Sequence, residues 1–241
     1  MQYMGGKARI AKRLVEAILA DTGLRSEWWE PFVGGGNVME HACQHFDRSV
    51  GTDIHPDLML LWQHVAAGGE IPEMITRERY SELRHNSPSW ERALAGFGAS
   101  FGGKWFGGYG EIKSPRPGRN AEVIRNTYAA LTRQGAVVRE RSVVFACGSY
   151  ADFAPPSNSV IYCDPPYVQT TSYDGTDAFD HRAFYARCME WARSSVVYVS
   201  EYSIPEYVPH RLIWELDRRV ALKREDNSRI ATERLFRILP A

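Results

Sequence analysis

The chain of 241 residues carries no net charge, because 29 Lys and Arg balance 29 Asp and Glu. Global charge therefore points to no nucleic-acid partner, and any anion-binding surface must come from local segregation of charge. Cysteine is scarce. Cys43, Cys147, Cys163 and Cys188 are far apart and form no C-x-x-C pair, which argues against a zinc site and a disulfide framework. Reduced, mostly buried thiols are expected, and no metal. The sequence also lacks an apolar run of membrane-spanning length, a signal-peptide layout, internal repeats and a low-complexity tail, so no membrane partner is expected.

What is present suits an ordered globule. Hydrophobic residues make up 44% of a length that allows one sizeable core, or a core with an inserted lobe. "KARIAKRLVEAILA" repeats Ile10, Leu14, Val15 and Ile18 at helical spacing. "WWEPFVGGGNVMEHACQHF" reads as strand, glycine loop and helix. "RSVGTDIHPDLMLLWQHVAA" reads as strand, acidic turn and a helix with Pro56 in its first turn. This alternation predicts a parallel α/β sheet. From about residue 67 to 141 it loosens into glycine, aromatic and basic residues without a period, followed by a helical stretch around "NAEVIRNTYAALTRQG". This is the expected inserted lobe. "SVVFA", "SVIYC" and "SVVYVS" then return as strands, with a helix around Phe184 to Ala192. The end reads as antiparallel strands joined by the turn-like "REDNSR".

Three stretches can carry chemistry. In "FVGGGNV", glycines between strand and helix let a ligand approach the backbone, and Asp53 follows Gly34 by 19 residues at the end of the next strand. That is the separation of a carboxylate that binds ribose hydroxyls. The G-x-G-x-x-G pattern is absent, so an adenosine ligand is favoured over a pyrophosphate, and a plain tight turn stays open. "YMGGKARI" lacks a full phosphate-loop pattern, and alone it could be a flexible helix start. "VIYCDPPY" ends a strand in Asp164, Pro165, Pro166 and Tyr167. The prolines supply no N–H and fix φ. The Asp164 carboxylate and the Pro165 carbonyl are two acceptors beside the Tyr167 ring, a set that suits a planar group bearing NH2. Accepting both N–H bonds favours pyramidalisation of the amine and frees its lone pair for attack. A rigid proline corner is the bland counterpart.

"YMGGK", "EPFVGGGNV", "GTDIHPDL" and "VIYCDPPY", in this order, resemble the Dam-like DNA adenine-N6 methyltransferases. The resemblance covers most of the chain and is weakest in the middle. It implies a Rossmann-like methyltransferase sheet with S-adenosylmethionine (AdoMet) as methyl donor. The implied parts are an AdoMet-binding core part over 1–66, a target-recognition lobe over 67–141 and a catalytic core part over 142–241. Tyr3 and Lys7 would contact the donor, Phe32 and Gly34 would line the methionine pocket, and Asp53 would hold the ribose. "GSYADF" adds Tyr150 and Asp152 to the donor site. Asp164 would touch both donor and target, with Pro165 accepting from the amine and Tyr167 stacking on a flipped adenine. In the lobe, Lys104, Lys113, Arg116 and Arg119 alternate with Trp105, Phe106 and Tyr109. Such a mixture binds phosphates and stacks on bases, although composition alone also fits a solvated glycine loop.

The expected function is therefore adenine-N6 methylation of double-stranded DNA with base flipping. The alternatives are an RNA adenine or DNA cytosine-N4 methyltransferase, or a catalytically silent DNA-binding protein of this fold. A cytoplasmic stand-alone enzyme of a bacterium or phage, monomeric or weakly dimeric, is expected.

Overall fold

Strands in the middle of a parallel sheet are covered on both faces, so they must be apolar throughout. Val160, Ile161, Tyr162 and Cys163 meet that demand, and all four are fully buried. The computed structural model of the protein describes residues 1–112, 121–167, 179–219 and 230–241. Among these, α1 (Ala11–Asp21) precedes β1 (Glu27–Glu30). A glycine loop leads to the single-turn α2 (Met39–Ala42), then β2 (Arg48–Asp53) and α3 (Pro56–Ala66). The middle of the chain holds α4 (Arg77–Leu83), α5 (Trp90–Ala93), a two-stranded ribbon of β3 (Glu111–Ile112) and β4 (Ala121–Glu122), and α6 (Val123–Glu140). The rest is β5 (Val144–Cys147), β6 (Val160–Cys163), α7 (His181–Trp191), β7 (Val196–Glu201), β8 (His210–Arg219) and β9 (Ile230–Ile238).

Seven strands form one sheet in the order β5-β2-β1-β6-β7-β9-β8. The first five run parallel, and β9 pairs antiparallel with both β7 and β8. The chain winds outward from β1 through β2 to β5, then crosses back to place β6 against the other side of β1. This reversal is a topological switch point, and ligands of open α/β sheets bind at the carboxyl ends of the strands there. The α/β, Rossmann-like expectation is met, and the described residues include a strand for each of "SVVFA", "SVIYC" and "SVVYVS", whereas "VALK", read with the terminal strands, lies outside them. "REDNSR", Lys113, Arg116 and Arg119 lie outside the described residues.

Alternation along the strands sorts the core into two layers. Trp28, Tyr162, Tyr198 and Leu235 face the layer containing α1, α3 and α6, whereas Trp29, Ile161, Val197 and Phe236 face the layer containing α7. Each fully buried aliphatic or Phe side chain contributes about 1.5–3 kcal/mol relative to exposure. On α6, buried Ile124, Thr127, Leu131, Gln134 and Val138 recur at helical spacing, and this face packs toward α2 and α3. Three cysteines are buried, Cys147 is exposed and all four are free thiols.

Ahead of α6 the middle segment shows no long period because α4 and α5 span only seven and four residues. Local caps define them instead. Thr76 accepts from the Arg79 N–H at 3.2 Å and Ser89 from the Arg92 N–H at 3.1 Å.

The glycine loop has an exact spatial demand. Gly36 has φ +66°, and a Cβ there would lie 2.4 Å from the Trp62 ring. Gly36→Ala should therefore combine left-handed strain with overpacking and cost about 2–4 kcal/mol. Gly5 also has positive φ, but a Cβ there meets nothing within 4 Å, so Gly5→Ala should cost about 1 kcal/mol. Urea unfolding checks this: the midpoint of Gly36→Ala falls well below that of Gly5→Ala, with the slope unchanged.

Candidate active site

β1 and β6 end side by side at the switch point, and each feeds a stiff or special loop. After β1 comes Pro31 and the glycine loop; after β6 comes Asp164-Pro165-Pro166-Tyr167. The amino-terminal segment lies across both. A Cβ on Gly34 (φ +45°) would sit 3.0 Å from the Tyr3 ring, so glycine lets that ring lie directly on the loop. The Met1 main-chain nitrogen and the Gln134 amide both donate to the Gly35 carbonyl, at 2.8 and 3.2 Å. The Trp62 indole N–H donates to the Gly34 carbonyl at 2.9 Å.

Lys7 extends from this segment to β6. Its Nζ lies 2.9 Å from Asp164 Oδ1, 3.8 Å from Glu233 Oε2 and 4.5 Å from the centre of the Tyr167 ring. The Tyr167 hydroxyl donates to Glu233 Oε2 at 3.1 Å, and Tyr202 meets the Tyr167 ring edge-on at 4.7 Å. Lys7, Tyr167 and Glu233 are all buried. Burial pushes the Asp164 carboxyl above its ordinary range; Lys7 opposes this, while the Glu233 charge adds to it. Glu30, buried at the end of β1, accepts from the Trp28 indole at 3.2 Å, and burial raises its carboxyl far above the usual range. Burial likewise raises the Tyr167 phenol, with the Asp164 charge next in effect. The cluster thus combines one ammonium, ring faces and carboxylate acceptors, a set able to bind and polarise an amine.

At the end of β2, Asp53 accepts the Gly34 N–H through Oδ2 and the His55 N–H through Oδ1, both at 3.1 Å. Each oxygen keeps acceptor capacity for a hydroxyl. Beyond β1, Phe32 joins an aromatic box with Tyr150, Phe179 and Phe184 at centroid distances of 5.6–5.9 Å. Asp152 is exposed, and its carboxylate accepts the Ser149 N–H at 3.0 Å in a capping box.

The structure thus brings Tyr3, Lys7, Gly34, Asp53, Asp164 and Tyr167 to the carboxyl ends of three adjacent strands, with Phe32 and Tyr150 paired beside them. In the middle segment Lys104 is exposed. Trp105 packs on Phe97 at 4.7 Å and His55 at 4.4 Å, and Tyr109 donates its hydroxyl to the Ile75 carbonyl at 2.7 Å. The exposed aromatic there is Phe101. The sequence reading missed Glu233 and Glu30. Glu233 shares a strand face with buried Leu235, two residues on, so a charge in the inward half of an alternating pattern was the available signal. A cleft of about 420 Å³ between α3 and α6, lined by Val65, Glu70, Tyr128, Leu131 and Arg139 among others, contains none of these residues. Among the described residues no cluster of His, Cys, Asp and Glu could hold a metal, and no helix is long and apolar enough to cross a membrane.

Residues 3–91 match the D12 class N6 adenine-specific DNA methyltransferase family. The DNA adenine methylases of two strains of Vibrio cholerae serotype O1 are 29% identical to the chain over 209 residues, covering 73% of it and 69% of each relative. Among solved structures, the 23S rRNA methyltransferase ErmE superposes with a TM-score of 0.44 at 10% identity, covering 99% of this chain and 70% of that one. A dimethyladenosine transferase from Plasmodium falciparum superposes with a TM-score of 0.41 at 8% identity, covering 95% and 62%.

Asp53 makes the site pH-sensitive. Burial raises its carboxyl from 3.8 to about 6, against the opposing backbone hydrogen bonds. The folded chain therefore binds this proton more tightly than the unfolded chain does. Its contribution to stability falls as pH rises from about 3.8 to about 6 and stays at the lower level above that. In urea unfolding at a series of pH values, the stability of the native chain minus that of Asp53→Ala should decline across this window. A difference that rises with pH would contradict the assignment.

Proposed function

We propose that the chain is a Dam-like, D12-class N6-adenine-specific DNA methyltransferase, and that its residues transfer a methyl group to adenine in duplex DNA. The observation that carries the reading is the grouping of Lys7, Asp164 and Tyr167 at the end of β6, beside the glycine loop and Asp53. An amine-binding acceptor and a ring thereby adjoin a nucleoside-type site.

AdoMet use follows from the family. The residues fit such a donor: Asp53 retains carboxylate acceptor capacity, the Gly34 backbone is closely approachable, and Phe32 and Tyr150 form an apolar wall. We assign the ribose to Asp53, the methionine portion to Phe32 and Gly34, and supporting contacts to Tyr3, Lys7, Tyr150 and Asp152. When bound, AdoMet supplies an electrophilic methyl group.

On the target side, the adenine leaves the duplex at a cost of a few kcal/mol, offset by stacking on Tyr167 worth about 1–3 kcal/mol. The Asp164 carboxylate accepts one amine N–H and the Pro165 carbonyl the other. Both acceptors are in place before reaction, so they favour the pyramidal amine without reorganisation. Lys7 opposes the rise that burial imposes on the Asp164 carboxyl and so favours its ionised, accepting form. After transfer the amine gives up one proton, to water or to Asp164.

We assign DNA contact to the 67–141 lobe. Lys104 is exposed, and we assign Lys113, Arg116 and Arg119 as further phosphate partners. Trp105 and Tyr109 serve by shaping the loop that carries Lys104. The 1–66 and 142–241 parts supply donor site and acceptor. We assign the chain to the cytoplasm of a bacterial or phage-infected cell, as a monomer or weak dimer.

Incubating the chain with labelled AdoMet and either unmethylated duplex DNA or RNA, then analysing nucleosides by mass spectrometry, tests the reading. N6-methyladenine from DNA is the expected product. Methylcytosine without methyladenine, or label confined to RNA, would overturn it, and donor binding without transfer would indicate a silent relative. Asp164→Ala leaves Lys7 with Glu233 as its remaining carboxylate in this cluster; with folding checked by circular dichroism, it should lose about 10²–10³-fold in rate.

A further inference from the structure

We propose that Glu233 is a positioning residue for methyl transfer, anchoring the Tyr167 phenol and offering Lys7 a second carboxylate so that Asp164 keeps acceptor capacity for the target amine. The proposal rests on the reading of this site as an adenine methyltransferase site. Its basis is geometric. Glu233 comes from β9, 66 residues beyond Tyr167 in the sequence, yet its Oε2 is 3.1 Å from the Tyr167 hydroxyl and 3.8 Å from Lys7 Nζ. One carboxylate oxygen therefore reaches both the ring and the cation.

The need for such a residue follows from the chemistry. A phenyl ring on an extended turn can rotate, and stacking catalyses nothing unless the base is held in a near-attack orientation. A hydrogen bond from the phenol to a carboxylate is charge-assisted and fixes the ring edge. The ammonium raises a second problem. Lys7 lies 2.9 Å from the same Asp164 that must accept from the target. Without another anion nearby, arrival of the amine would force a buried ammonium to share one carboxylate with it. Glu233, held on the inward face of β9 by its strand register with Leu216, gives Lys7 a second partner within a short pivot.

The groups facing Asp164 come from several elements: Lys7 from the amino-terminal segment, Glu233 from β9, Glu30 from β1, and Tyr162 and Tyr167 from β6 and its turn. Of these, Glu233 is a like charge that favours the protonated acid, whereas Lys7 favours the carboxylate. Removing the Glu233 charge therefore moves the titration of Asp164 to lower pH.

The test compares Glu233→Gln, Glu233→Ala, Tyr167→Phe and the Tyr167→Phe/Glu233→Ala double variant in single-turnover methylation of duplex DNA, with folding checked by circular dichroism. Glu233→Ala should lose roughly tenfold or more in rate with KM for DNA changed less than about threefold. Glu233→Gln, which can still accept from the phenol but gives Lys7 no second carboxylate, should recover only part of that rate and shift the acid limb of the pH profile downward. In the Tyr167→Phe background, Glu233→Ala should cost much less than in the native chain. Native rate and an unshifted limb in Glu233→Gln, or losses that multiply in the double variant, would overturn the proposal. The ¹³Cζ tyrosine resonance of Tyr167, assigned by its loss in Tyr167→Phe, is read on the same proteins and separates the two readings. If the native chain methylates no DNA, the functional reading fails; if the resonance does not move in Glu233→Ala, the positioning contact fails whatever the activity.

Discussion

The ion pair between Lys7 and Asp164 is the constraint on which the site depends. It joins the amino-terminal segment to the end of the central strand β6 across 2.9 Å, largely out of water. Burying two charges costs several kcal/mol each, and their attraction offsets this only with good geometry and further partners. Glu233 and the Tyr167 ring are those partners. Removing one member of a buried pair leaves an uncompensated charge at a cost of about 3–5 kcal/mol. The pair therefore acts as a latch that fastens the amino-terminal segment, whose Tyr3 ring lies on Gly34, to the end of β6.

From that latch a short set of contacts reaches the donor side. Tyr3 rests on Gly34, the Gly34 N–H is bound by Asp53, and its carbonyl is bound by Trp62 from α3. Donor and target groups thus share one scaffold: the loop that would approach the donor is pinned by the carboxylate that would hold its ribose. The sheet makes this possible. Reversal of strand order between β1 and β6 opens the crevice, and the two-sided burial of both strands makes its floor rigid.

Much of this was legible in the sequence where the signal was local. The apolar run before Asp164 reads as a buried strand, and the 19-residue step from Gly34 to Asp53 placed a carboxylate at the end of the strand that follows the glycine loop. The structure joins that pair by a direct hydrogen bond. Other features were not legible because they depend on tertiary contacts. Helices α4 and α5 are too short to show a period, and their signals were the single caps Thr76 and Ser89. Trp105 and Tyr109 read as an exposed aromatic and basic mixture, but tertiary packing directs their rings onto Phe97, His55 and Tyr80. Glu233 resembles any strand-face charge until the register of β9 turns it toward Lys7. Capture of Asp152 by a capping box is likewise a local geometry that the residue type permits without announcing it.

The central claim is that donor and target meet at the carboxyl ends of β1, β2 and β6. The most direct measurement is a crystal structure of the chain with AdoMet bound. The account predicts ribose hydroxyls on the Asp53 carboxylate, the methionine portion against Phe32 and Gly34, and the methyl group directed toward Asp164. A donor bound elsewhere, such as in the cleft between α3 and α6, with Asp53 and Asp164 untouched, would contradict it.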